Sequence, residues 1–106
     1  MTNIRVIYTT FNNIQNAKTV VKQLLQLKLI ACANIISNVT SMYFWKNEIC
    51  TDDEIIVILK TRQDLVHNTI QELRKIHSYE IPCIIEINIL KSHNEFYDQW
   101  ILKITS

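Results

Sequence analysis

The stretch Ala33-Asn34-Ile35-Ile36-Ser37-Asn38-Val39-Thr40-Ser41-Met42-Tyr43-Phe44-Trp45-Lys46 is answered, one residue later, by a second extended run from Glu48 to Arg62. Both are rich in β-branched and aromatic residues, and Lys46-Asn47 supplies a turn between them. Fourteen extended residues reach about 46 Å at ~3.3 Å each. A compact domain of this length has a radius of gyration of roughly 13 Å, hence a diameter near ~33 Å. A strand pair of that length either bends or projects. Its outer half carries Tyr43, Phe44 and Trp45, and an arm tipped with aromatic side chains leaves apolar surface in water unless another chain covers it. Oligomerisation is the first functional expectation.

The rest of the chain surrounds this hairpin with a regular pattern. Ile4 to Thr10 alternate as a strand, with Ile4, Val6 and Tyr8 on one side and Arg5, Ile7 and Thr9 on the other. From Ile14 the period becomes helical, with Ile14, Ala17, Val20, Val21, Leu24 and Leu25 on one face and a cap at Asn12 or Asn13. Ile55 to Leu59 are apolar at every position, which predicts a strand covered on both faces. Asp64 opens a second helix with Val66, Ile70, Leu73 and His77 on one stripe, ending near Ser78 ahead of Pro82. Cys83 to Leu90 read as a fourth strand with Ile85, Ile87 and Ile89 toward the core. A last helix starts at the capping-box pattern Ser92-His93-Asn94-Glu95 and carries Phe96, Tyr97, Trp100, Ile101 and Ile104 on a wide apolar side.

The order β-α-β-β-α-β plus a terminal helix predicts an α+β, ferredoxin-like split βαβ sandwich with a long β-hairpin arm, residues 1–106 forming one domain. Two helices cover one face of such a sheet. The other face is left to the terminal helix, the arm or neighbouring subunits.

Composition narrows the function classes. The chain has 106 residues and a formal net charge of +1, with basic residues dispersed among acids, so it lacks the footprint of a nucleic-acid binder. No run approaches the ~18 apolar residues of a membrane span, and the N-terminus lacks a signal-peptide layout. A cytoplasmic protein is expected. Glycine is absent altogether, which excludes dinucleotide fingerprints and phosphate-cradling loops. Turns fall to Asn12-Asn13, Lys46-Asn47 and Asp52-Asp53, since Asn and Asp tolerate positive φ. Cys32, Cys50 and Cys83 have neither disulfide nor zinc spacing and are expected as reduced thiols, Cys32 and Cys83 buried.

Candidate site residues are few. His77 ends an apolar helix stripe, where the helix C-terminus and Glu80 favour the imidazolium. It is either a ligand-contacting or metal-contacting imidazole, or a helix-end histidine satisfying the last carbonyls. Lys60 emerges from the buried strand and either anchors an anion or marks where the strand reaches water. Glu48, Asp52, Asp53 and Glu54 either collect a cation or form a solvated acidic turn. Trp45 and Tyr43 share one side of their strand and either line a small-molecule pocket or pack on another subunit. His67 and His93 are expected exposed and without partners. No serine or cysteine has a base beside it, and no carboxylate pair has catalytic spacing, so the sequence offers no enzyme mechanism.

The segments Tyr8-Thr9-Thr10-Phe11, Leu29-Ile30-Ala31-Cys32-Ala33-Asn34, Tyr43-Phe44-Trp45-Lys46, Ile58-Leu59-Lys60-Thr61-Arg62 and His77-Ser78-Tyr79 occur in an order and spacing that resemble the CutA divalent-cation-tolerance family. The resemblance covers nearly the whole chain. It implies a ferredoxin-like subunit in a tight homotrimer whose long arms wrap neighbouring subunits, similar to PII signalling trimers. It also implies tolerance to divalent metals, copper most often, with copper held by a cysteine ending the first strand and two adjacent histidines ending the second helix. Here the cysteine position falls at Tyr8 or Thr9, the histidine pair reads Ile76-His77, and the usual following proline is Ser78. Copper prefers several N or S ligands. A lone His77 therefore binds copper or another divalent cation weakly unless Cys32 or a neighbouring subunit completes the site.

The expectation is a non-enzymatic homotrimer of metal-ion tolerance, with Lys60, His77 and Tyr79 near an intersubunit cleft at the base of the arm and Glu54 and Trp45 beside it. One alternative is a PII-like sensor that holds a small anionic ligand with Lys60 and His77 against Trp45. Another is a structural or partner-anchoring trimer. Neither nucleic acid nor membrane is an expected partner, and the sequence does not identify an effector protein.

Overall fold

The computed structural model describes residues 3–106. Its elements run β1 (Ile4–Phe11), α1 (Ile14–Gln26), β2 (Cys32–Trp45), β3 (Glu48–Arg62), α2 (Val66–Ile76), β4 (Ile84–Asn88) and α3 (Glu95–Ile104), with a short 3₁₀ turn, Gln63–Leu65, leading into α2. The sheet is antiparallel throughout, in the order β2-β3-β1-β4. This is the ferredoxin-like arrangement expected from the element order.

One face of the sheet carries the core. Ile7 and Phe11 of β1 and Val57 and Leu59 of β3 pack against Ala17, Val20, Val21 and Leu24 of α1 and Val66 and Leu73 of α2. Burying each larger aliphatic or aromatic side chain there contributes about 1.5–3 kcal/mol. Asn13 caps α1 by accepting the Asn16 N–H at 2.8 Å. Asn94, rather than Ser92, caps α3, its side-chain oxygen accepting the N–H groups of Phe96 and Tyr97.

The opposite face is only partly covered. Ile4 and Ala31 are closed off by Ile101 of α3, with Ile89 packed beside them. Ile56 and Ile58 of β3 are half-buried, so the all-apolar run is covered fully on one face only. β4 differs from the sequence expectation: Ile84 joins the core, while Ile85 and Ile87 are 51% and 43% exposed on the open face. Their cross-strand partners explain this, because Ile85 pairs with Tyr8 and Ile87 with Val6, which point away from α1 and α2. The apolar stripe of α3 is also incompletely buried, with Phe96, Trp100 and Ile104 exposed.

The hairpin both bends and projects. The molecule measures 46 × 27 × 22 Å, its long axis comparable to the extended length of β2. Between Ile36, opposite Ile56, and Val39, opposite Glu54, β2 spends two residues where β3 spends one. This is a β-bulge, with Asn38 at φ 61°. It shifts the alternation of β2, so Cys32, Asn34 and Ile36 share the open face in the body, and Val39, Ser41, Tyr43 and Trp45 share it in the arm.

Positive φ falls at Lys28, Asn38, Lys46 and Asn47. The expected hairpin turn at Lys46-Asn47 has both central residues left-handed, as a type I′ turn requires. Asp52-Asp53 is not a turn; both residues lie in β3 opposite Ser41 and Thr40. Lys28 follows the C-cap of α1 and takes the position that glycine usually fills, with its N–H bonded to Leu25 O at 3.0 Å.

Candidate functional site

β3 places Glu54 and Asp52 two residues apart, hence on one surface of the arm, and the bulge brings Ser41 and Tyr43 of β2 opposite that surface. Ser41 donates to Glu54 Oε1 at 2.5 Å, and the Tyr43 hydroxyl donates to Asp52. Tyr79 arrives from the linker after α2 and donates its hydroxyl to Glu54 Oε2 at 3.0 Å. Both Glu54 oxygens are thus engaged, one from the arm and one from the body. Holding these carboxylates raises the tyrosines: Tyr43 is pushed up to about 12, first by its bond to Asp52. Tyr79 is raised further, by burial and then by Glu54.

His77 stands behind Tyr79. Its backbone closes α2, with its N–H bonded to Leu73 O at 2.9 Å. The ring stacks on Phe11 at 4.2 Å and 10° and meets Tyr79 at 5.0 Å. Nδ1 accepts the Tyr79 N–H at 3.1 Å, and Nε2 lies 3.2 Å from Thr9 Oγ1. An acceptor at Nδ1 assigns the neutral tautomer with the proton on Nε2, donated to Thr9. Burial lowers the histidine pKa, the Thr10 carbonyl opposing it. The imidazolium expected from the helix C-terminus is therefore disfavoured, since the ring is desolvated where it stacks on Phe11.

These groups border a cleft of about 770 Å³ on the arm's inner side, lined by Thr10, Ser41, Tyr43, Asp52, Glu54 and Tyr79 among others. Asp53, Asn12 and Cys83 complete its polar rim, and Met42 and Ile81 its apolar part. Among the described residues no lysine, arginine or histidine lines it. Cys83 is half-buried there, and its thiol pKa is raised by burial and then by Glu54.

Of the residues singled out in the sequence, Glu54, Tyr79 and His77 come together. Lys60 does not join them within the chain. It lies six residues from Glu54, about 20 Å along the strand, opposite Val6 and Cys32. It sits on the face away from His77, with Nζ 6.0 Å from the Tyr97 ring centroid. Tyr97 in turn lies 3.5 Å from Cys32 Sγ, so Cys32 is half-exposed beside α3 rather than buried in the core. Trp45 is 54% exposed at the arm's end, opposite Glu48 and outside the cleft. Among the described residues no set of three or more His, Cys, Asp and Glu side chains converges as metal ligands. Sequence reading did not assemble Ser41, Tyr43 and Asp52 with Glu54. The alternation of β3 carried the signal, but the bulge that aligns β2 with it had no mark beyond Ser37-Asn38.

Comparison with known proteins agrees with this architecture. The family model described as CutA1 divalent ion tolerance protein matches residues 5–103. The divalent-cation tolerance protein CutA of Pyrococcus horikoshii is 39% identical over 100 residues, covering 94% of this chain and 96% of its own length. Protein CutA 1, chloroplastic, of Oryza sativa is 32% identical over 100 residues, covering 94% of this chain and 56% of that protein, so the chain spans little more than half of it. The crystal structure of divalent ion tolerance protein CutA1 from Ehrlichia chaffeensis superposes with a TM-score of 0.96 at 42% identity, covering 100% of this chain and 98% of the other. No helix among the described residues is long and apolar enough to cross a membrane. The chain belongs to the CutA family of divalent-cation tolerance proteins.

Proposed function

We propose that this chain works as a cytoplasmic, non-catalytic homotrimer in divalent-cation tolerance, and that it holds copper or another divalent cation weakly, through His77. The family match carries the tolerance role. The trimer is supported by the half-covered sheet face around Ile85, Ile87, Ile56 and Ile58 and by the exposed Met42, Phe44, Trp45 and Ile49 of the arm. Apolar side chains exposed in this way are the kind of surface that another chain covers.

Weak metal binding follows from the donors. His77 is neutral, which is the ligating form of imidazole, but each ring nitrogen already has a hydrogen-bond partner. A cation has to displace one of them and find its remaining ligands in water or a neighbouring subunit. Calorimetric titration of copper into wild type and His77→Ala, alongside the mass in solution by sedimentation, tests both parts. Equal heats in the two proteins remove His77 from the site, and a monomer removes the assembly.

The PII-like alternative, an anionic ligand between Lys60 and His77, loses support within one chain. The two residues lie on opposite faces of the sheet, and the cleft beside Tyr79 carries Asp52, Asp53 and Glu54 with no basic side chain among the described residues that line it.

A further inference from the structure

The open side of β3 carries a charge pattern that its own chain does not neutralise. On the side of the strand turned away from α1 and α2, alternate residues read Arg62, Lys60, Ile58, Ile56, Glu54 and Asp52. Two cations stand at one end, two carboxylates at the other, and two isoleucines lie between. Arg62 is answered within the chain by Asp64, at 3.0 Å. Lys60 is not. Among the described residues it forms no ion pair, and its Nζ stands 6.0 Å from the Tyr97 ring centroid.

The surroundings of Lys60 are mostly apolar. Its cross-strand neighbours are Val6 and Cys32, Val6 in turn pairs with Ile87, and Ile58 follows on the same side. Lys60 is half-buried in the single chain. A second copy that covers Ile56 and Ile58, as proposed above, also strips water from this ammonium, and a buried charge without a partner is strongly destabilising. The acids of its own strand cannot answer it, because Glu54 and Asp52 lie about 20 and 26 Å away along β3. Those acids have an opposite imbalance. Among the described residues that line the cleft beside them none is basic. Tyr43 donates to one oxygen of Asp52, and no described residue donates to the other.

We propose that Lys60 of one copy pairs with Asp52 of a second copy, beside Glu54, and that this contact sets how the open faces of neighbouring subunits meet. Placed in the same direction, two such strips bring Lys60 against Lys60 and Asp52 against Asp52. With the cationic end of one over the acidic end of the other, each charge finds its opposite. In a head-to-tail ring every copy gives its lysine to one neighbour and its carboxylates to the other, so the contact closes on itself. The pairing presupposes the assembly proposed above and names the residue that each neighbour supplies.

Zero-length carbodiimide coupling of the full chain, followed by mass spectrometry of the linked peptides, reads the pair directly. A link from Lys60 to Asp52 or Glu54 is expected in covalently joined chains, since the same residues of one chain are too far apart to couple, and Lys60→Gln should lose it. Lys60→Glu is expected to raise the dissociation constant of the oligomer at least about a hundredfold, read by sedimentation over a dilution series, and adding Asp52→Lys to recover at least about tenfold of that loss. Added salt should weaken wild-type association. Circular dichroism establishes that the variants are folded. An oligomer whose Lys60 couples to neither carboxylate overturns the proposal, as does an unchanged dissociation constant in Lys60→Glu. Either result leaves the assembly standing, whereas a monomeric wild type removes the assembly and the pair together.

Discussion

Thr9 Oγ1 lies 3.2 Å from His77 Nε2, joining the end region of β1 to the residue that closes α2. The resemblance noted in the sequence places a copper-binding cysteine at Tyr8 or Thr9 and a histidine at His77. The fold brings Thr9 to His77 and leaves Tyr8 on the opposite face of the sheet, opposite Ile58 and Ile85. A hydroxyl therefore occupies the place where a thiolate would complete an N,S pair.

Thr9→Cys is expected to raise copper affinity by at least about tenfold, because thiolate and imidazole together match copper where a neutral hydroxyl does not. Competition titration with a copper chelator measures it. An affinity unchanged from wild type would separate this pair from copper chemistry in the family.

The stability of the chain is expected to fall as pH drops below about 6.5, the ordinary histidine pKa. The folded His77 has a lowered pKa, so the unfolded chain binds the proton first. Its contribution is complete above the unfolded value and is lost as pH falls toward the folded one. His67 and His93 are exposed. Denaturant unfolding between pH 5 and 8 should show the slope in wild type and a flatter profile in His77→Gln; equal slopes would exclude His77 as its source.

Ile85→Glu, with Ile87→Lys as an independent variant, is expected to shift the protein toward monomer without unfolding the subunit. Both side chains are largely exposed in the single chain, so the loss falls on whatever covers the open face. Sedimentation velocity at several concentrations gives the result, and an unchanged mass in both variants would move the subunit interface elsewhere.

Lys28→Gly is expected to stabilise the fold by about 0.5–1 kcal/mol, the relief of a left-handed lysine less the entropy glycine adds to the unfolded chain. Lys28 has φ 58° at the end of α1 and is exposed, so no packing is lost. Urea unfolding at fixed protomer concentration provides the comparison.

The architecture was legible because each element announces itself by period: β1 by alternation, α1 by its apolar stripe, and the hairpin by two long runs around Lys46-Asn47. What escaped depended on side-chain direction. Ile85 and Ile87 look like core by alternation, but which surface of a strand is covered is decided by what packs there, and α1 and α2 lie on the side of Ile84. His77 was found by its position, while its protonation was misjudged because the Phe11 ring that desolvates it lies 66 residues away in sequence. Lys60 and His77 both fall at the base of the arm by sequence, but the sheet sets them on opposite faces.

β3 keeps one uninterrupted alternation from Lys60 through Ile58, Ile56 and Glu54 to Asp52, since the bulge is confined to β2. On this strand the apolar run of the open face therefore ends at Ile56, and the carboxylates begin at the next position on the same side. If another subunit covers Ile56 and Ile58, an occupant of the cleft lies beside that contact on the same strand, and occupancy and association become thermodynamically linked. A ligand that binds more tightly when that contact is made must, by the same free energy, hold the subunits together more tightly.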